Sequence, residues 1–117
     1  MKTNTEIGNE GEKLAVKHLI TNNYKVLNKN WRYGHKEIDI IAENNEYLII
    51  VEVKTRSSNF FDDASSVITN KKKRFLIDAA QKYTEKYNIN KELRFDLIFI
   101  SNNEIEHIKE AFNAFDL

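Results

Sequence analysis

The stretch "HKEIDIIAENNEYLIIVEVKTR", residues 35–56, decides the fold. Two apolar runs, Glu37–Ala42 and Tyr47–Lys54, flank an Asn-Asn pair and read as a β-hairpin. With Asn44-Asn45 at the turn centre, Glu43 faces Glu46, Ala42 faces Tyr47, Asp39 faces Ile50 and Glu37 faces Glu52. Alternation then puts Ile38, Ile40, Ala42, Tyr47, Ile49, Val51 and Val53 on one face, apolar except for a phenol hydroxyl. The other face carries Ile41, Leu48 and Ile50 near the turn, and Glu37, Asp39, Glu52 and Lys54 at the open end. Asp39 and Glu52 become diagonal neighbours, with Cα atoms roughly 7–8 Å apart. A turn one residue longer or shorter would send them to opposite faces, and the clean apolar face supports this register.

Outward from the hairpin, the chain alternates elements. Thr5–Asn22 is expected to be helical, with Ile7, Leu14, Ala15, His18 and Leu19 at helical spacing. Tyr24–Asn28 alternates like a strand. "SSNFFDD" reads as a loop, with Asp62 or Asp63 capping a long helix over Ala64–Tyr87. Leu93–Ile100 is a near-continuous apolar strand, expected to be covered on both faces. Glu104–Ile108 reads as a last short strand, followed by "AFNAF" as a packed tail. The order αβββαββ implies an α/β domain with a mixed central sheet flanked by helices, one domain over residues 1–117.

Composition narrows the function classes. Eighteen basic residues balance eighteen acidic ones, so attraction to nucleic acid must come from local patches rather than net charge. Cysteine is absent, which removes disulfides, thiolate ligands and a cysteine nucleophile, and fits a reducing, cytoplasmic setting. No apolar run reaches membrane-spanning length and no signal-peptide pattern opens the chain.

Two carboxylates side by side in a half-buried place repel, and a divalent cation offsets the repulsion. Mg²⁺ suits a site of one or two carboxylates that leaves waters bound. Lys54, on the same side, would position a water or stabilise charge on a phosphate. In the first helix Glu12 lies in line with Gly8, Ala15 and Leu19, an acid on a stripe expected to be buried. Gly8 and Gly11 remove side-chain bulk beside it. In the second helix Lys72 lies in line with Ile68, Leu76 and Ala79, while Lys71, Lys73 and Arg74 fan outward. With Arg32 and Arg56 they would form a basic rim around an acidic centre, suited to a nucleic-acid backbone held over a metal.

Asp39, twelve residues and then Glu52-x-Lys54 resemble the PD-(D/E)xK signature of restriction-endonuclease-like nucleases, without its proline. "GNEGEKLA", "NWRYGHKEIDIIA", "VEVKTR", the Lys72-containing start before "RFLIDAA", and "RFDLIFI" together resemble the YraN-like family, from about Ile7 to the C-terminus. The resemblance implies a restriction-endonuclease-like core and a metal-dependent endonuclease. It makes Glu12, Asp39 and Glu52 ligands of Mg²⁺ or Mn²⁺, and Lys54 the catalytic lysine. Its functional relatives, the Holliday-junction resolvases, act as dimers on branched DNA, so DNA and a second copy are the implied partners. Two departures stand out: Lys36 where the family usually has Gly, and Asp62 after Phe61 where it usually has Gly.

Plainer readings stand beside these. Asp39, Glu52 and Lys54 also fit a solvated sheet end with a structural ion pair, and the Lys71–Arg74 run fits a solvated helix face. His18 fits a core or edge histidine, and His35 and His107 show no metal-ligand spacing. Trp31 and Tyr33 fit packing or base stacking. The competing functional class is a non-catalytic module that binds nucleic acid or a partner on a nuclease fold.

Overall fold

A computed structural model describes residues 1–56 and 67–117. Five strands form one mixed sheet: β1 (Lys25–Tyr33), β2 (Lys36–Glu43), β3 (Tyr47–Arg56), β4 (Glu92–Ser101) and β5 (Glu104–Phe112). They lie in sequence order across the sheet. All neighbours are antiparallel except β3 and β4, which run parallel. A parallel pair needs a crossover, and α2 (Asn70–Tyr87) lies within it. Helix α1 (Asn4–Thr21) precedes the sheet, so the order is αβββαββ, as expected from the sequence.

The two helices cover opposite faces. Ala15 and Leu19 of α1 pack on Ile40, Ala42, Ile49, Val51, Ile98 and Ile100. Leu76, Ala79, Ala80 and Tyr83 of α2 pack on Ile41, Leu48, Ile50, Phe95, Leu97 and Phe112. Alternate residues of β3 and β4 thus go to alternate helices, which is why both strands read as continuous apolar runs. Helix α1 makes its closest approach at Gly11, where a Cβ would stand 2.1 Å from Thr55 Oγ1. Gly8 instead has nothing within 4 Å, so it faces open space and serves no close contact.

The helix starts follow from side-chain caps. Thr3 Oγ1 accepts from the Glu6 N–H, and Thr69 Oγ1 accepts from the Lys72 N–H at 3.1 Å. Thr69 therefore fixes the start of α2 at Asn70, later than the expected Ala64. The expected "SSNFFDD" loop, the Asp62 or Asp63 cap and residues 64–66 lie outside the described residues.

Three strand expectations change. β1 continues to Tyr33 rather than ending at Asn28, because a bulge between Val26 and Asn28 and a left-handed Asn30 (φ 51°) break its alternation without ending its pairing. It turns into β2 through Gly34, at φ 67°. β5 runs on to Phe112, past a left-handed Glu110, and Phe112 stacks on Phe95 with ring centroids 4.9 Å apart. Of the expected tail, Ala111 and Phe112 belong to this strand, and Phe115 is exposed.

The hairpin register also shifts. Ile40 faces Val51, Ile41 faces Ile50, Ala42 faces Ile49 and Glu43 faces Leu48. The turn centre is Asn45-Glu46, because the Asn44 side chain accepts from both the Glu46 and Tyr47 N–H groups and closes the turn there. Each residue moves two positions along its partner, which preserves the faces. Glu37 therefore does not face Glu52, and Asp39 falls one step beyond the last paired residue of β2. The β2–β3 ladder stops at Ile40 and Val51. Beyond it Ile38 packs beneath α2 while Ile40 packs beneath α1, so β2 turns over at Asp39. Ile38 therefore leaves the apolar face assigned to it from simple alternation.

Candidate active site

Where the ladder opens, Asp39 Oδ2 accepts a hydrogen bond from the Val53 N–H at 2.8 Å. The side chain thus does the work of the missing ladder carbonyl, and it brings the carboxyl against that of Glu52. Burial, followed by the adjoining Glu52 carboxylate, pushes Asp39 up to about 8; the Val53 N–H and the Lys72 ammonium only partly oppose this. Glu52 is 2% exposed, and its Oε2 is buried without a hydrogen-bond partner. Two ammoniums approach that oxygen at ion-pair range: Lys72 Nζ at 3.6 Å and Lys54 Nζ at 4.0 Å.

A second buried acid shows what full compensation looks like. Asp96, 1% exposed, receives two hydrogen bonds from Arg94, one from the Glu110 N–H and one from His107. Burial acts to raise it, yet these donors hold its carboxyl below the usual range. His107 in turn meets His18 at 3.1 Å, which gives both histidines a structural place. Among the described residues, Asp39 and Glu52 receive less: the Val53 N–H on Asp39 and two ammoniums at ion-pair range of Glu52. A buried carboxylate oxygen without a hydrogen-bond partner, beside a carboxyl whose pKa is pushed up, is a donor set that would fit a divalent cation, because the ion would take over the charge balance that the proton supplies.

Two clefts meet at this pair. The larger, about 640 Å³, is lined on its acidic side by Glu12, Glu37 and Asp39, and reaches Lys54 and Arg56. The smaller, about 380 Å³, holds Glu52 among Lys36, Lys54, Lys71 and Lys72. Lys54 belongs to both.

Glu12 lines the larger cleft, with Oε1 accepting from Asn30 Nδ2 at 3.0 Å. Burial raises its pKa, Asn30 opposes this, and Asp39 and Glu37 add to the rise. Among the described residues no three His, Asp or Glu side chains gather closely enough to hold an ion as a preformed trio. Arg32 is exposed and pairs with Glu37 at 3.6 Å. Lys73 departs from the expected outward fan: it is half-buried, with its ammonium 5.7 Å from the Phe112 ring centre, drawn there by the aromatic face that β5 presents. Arg74 is exposed and lines neither cleft.

The sequence reading missed Asn30 and Lys36. Asn30 holds Glu12, and its signal was an asparagine inside a strand, the residue type that tolerates a left-handed backbone. Lys36 was noted only as a departure, yet it lines the basic cleft.

A protein of *Phocaeicola vulgatus* is 39% identical over 96% of both chains, and one of *Persephonella marina* is 46% identical over 94% of this chain and 93% of its own. Both carry the name UPF0102 protein, as does a *Bacteroides fragilis* protein 44% identical over 91% of each chain. The family model matches residues 11–100, from the glycine against Thr55 to the end of the apolar run in β4. The chain belongs to the uncharacterised protein family UPF0102.

Proposed function

We propose that the protein is a metal-dependent nuclease that hydrolyses phosphodiester bonds in DNA, branched DNA included. The observation that carries this reading is the undercompensated pair Asp39 and Glu52, at the boundary between an acidic and a lysine-lined cleft. A binding module gains nothing from keeping two carboxylates in contact with so little compensation, and the same fold compensates Asp96 fully.

In this reading Asp39 and Glu52 hold Mg²⁺ or Mn²⁺, with Glu12 across the cleft as a further acid. The ion supplies Lewis acidity and a water acidified enough to attack at neutral pH. Lys54 stands where both clefts meet, so its ammonium reaches the phosphoryl oxygens on which charge grows. Lys36, Lys71 and Lys72 receive the flanking phosphates. Water oxygen bonds to phosphorus, the bridging P–O bond breaks, and the products are a phosphate-terminated and a hydroxyl-terminated strand. Val53 fixes Asp39 through its N–H, and Asn30 fixes Glu12.

The experiment is cleavage of labelled branched, flapped, single-stranded and duplex DNA with Mg²⁺ or Mn²⁺, beside Asp39→Asn and Glu52→Gln. Cleavage by the wild type alone is the expected result. No cleavage of any substrate, or equal cleavage by Glu52→Gln, refutes the reading. The alternative is a non-catalytic nucleic-acid- or partner-binding module. It draws on the tie between Glu12 and Asn30, and is favoured by metal-independent binding without turnover.

A further inference from the structure

An aromatic row lies beside two lysines of the lysine-lined cleft, Lys36 and Lys72. Trp31 and Tyr33 of β1 lie nearly parallel, with an interplanar angle of 3° and centroids 6.4 Å apart. Tyr33 meets Phe75 of α2 at 6.1 Å. All three rings are only partly buried. The row is tied to the acid pair through one ammonium: Lys72 Nζ is 3.6 Å from Glu52 Oε2 and 5.4 Å from the Phe75 ring centre. The Lys36 ammonium, on an exposed side chain, lies 5.6 Å from the same ring.

The combination has a chemical meaning. Lysines held over an aromatic face are close enough to take a phosphate, and a movable lysine that does so leaves the ring open. A nucleotide joins its phosphate to its base through one sugar. A phosphate held by Lys54 and Lys72 therefore has its base within reach of Phe75 and Tyr33. A base inside a duplex is stacked and paired, and cannot turn onto them; an unpaired base can, and stacking on aromatic side chains holds it irrespective of its identity.

We propose that Tyr33 and Phe75 form a stacking platform for an unpaired base next to the phosphate over Glu52 and Lys54, so that the substrate is nucleic acid with single-stranded or splayed nucleotides at that position. This rests on the nuclease reading of the same site. Lys36, Lys54, Lys71 and Lys72 supply the phosphate attraction, and the rings supply the preference for unpaired strands.

Trp31, the single tryptophan, lies against Tyr33 and reports directly. Its fluorescence is followed in EDTA while a short thymidine oligomer, the same strand as a blunt duplex, or the matching RNA oligomer is added. The single strand should quench Trp31 and bind at least about tenfold more tightly than the duplex once salt has weakened the phosphate contacts. Tyr33→Leu with Phe75→Leu should lose on the order of tenfold in single-strand affinity, while Tyr33→Phe with Phe75→Tyr retains it. Equal binding of duplex and single strand by the wild type overturns the platform without any variant. So does a folded leucine variant that binds as the wild type does. Because binding is measured without metal, the two readings fail separately. Selective binding without cleavage sinks the nuclease and keeps the platform; equal cleavage of blunt duplex and single strand, unchanged in the leucine variant, does the reverse.

Discussion

Replacing Asp39 with Asn should make the metal-free protein more stable at neutral and alkaline pH, against the usual direction for a buried substitution. The Asn oxygen still accepts from Val53, and its amide can donate to Glu52, so the variant imitates protonated Asp39 permanently. The wild-type carboxyl moves from 3.8 to about 8 on folding, roughly four units, and each unit corresponds to about 1.36 kcal/mol. A raised folded value means that stability is full below about pH 4 and is lost as pH climbs toward 8. The ceiling is about 6 kcal/mol; screening by solvent in the open clefts reduces the expected difference to about 2 kcal/mol, an upward shift in Tm of roughly 6–10 °C. Thermal melts in EDTA at pH 5 and pH 8 measure it, with the two proteins close together at pH 5 and separated at pH 8. Mn²⁺ should then reverse the order by stabilising the wild type alone. A variant that melts below the wild type at pH 8 in EDTA, or a gap independent of pH, would show that the carboxylate is a structural group.

Asp96→Asn should do the opposite, costing about 2–4 kcal/mol in denaturant unfolding, because it leaves the half-buried Arg94 guanidinium without its counter-charge; a loss below about 1 kcal/mol would contradict the structural role given to this cluster. Gly11→Ala should cost about 1–3 kcal/mol by driving a methyl group into Thr55, and Thr55→Ala in the same chain should recover most of it in melts. Lys54→Ala should keep Mn²⁺ binding in titrations and weaken DNA binding by only a few-fold, since Lys36, Lys71 and Lys72 remain, yet slow single-turnover cleavage by about a hundred- to a thousand-fold; unchanged cleavage would move attention to Lys72.

Much of this was legible because period-two and helical patterns survive wherever backbone geometry is regular. The faces of Ile41, Leu48, Ile49 and Ile50 and the αβββαββ order follow from such patterns, whereas Asp39 meets Glu52 only because the alternation breaks at Asp39. The misreadings cluster where a side chain takes over a backbone partner. Asn44 closed the turn one position later than its sequence neighbours suggested, Asp39 turned β2 over and moved Ile38, and left-handed Asn30 and Glu110 hid the second halves of β1 and β5. Helix α2 looked longer because nothing in its composition distinguishes the apolar Val67 and Ile68 from a helical turn, whereas the Thr69 hydroxyl does. Lys73 lay beyond any reading of helix spacing alone, since its partner ring comes from the last strand.

The fork between β2 and β3 has one more consequence. Amides paired in the β2–β3 ladder look across at carbonyls, whose charge does not change. The Val53 amide looks at a carboxyl that gains or loses a proton and, on the proposed reading, a cation. Its resonance is therefore a built-in antenna for the candidate site: it would drift as Asp39 ionises, jump when an ion displaces the proton, and stay silent in Asp39→Asn. One backbone signal at the candidate site, read without substrate or turnover, would report the electrical state of the acid pair.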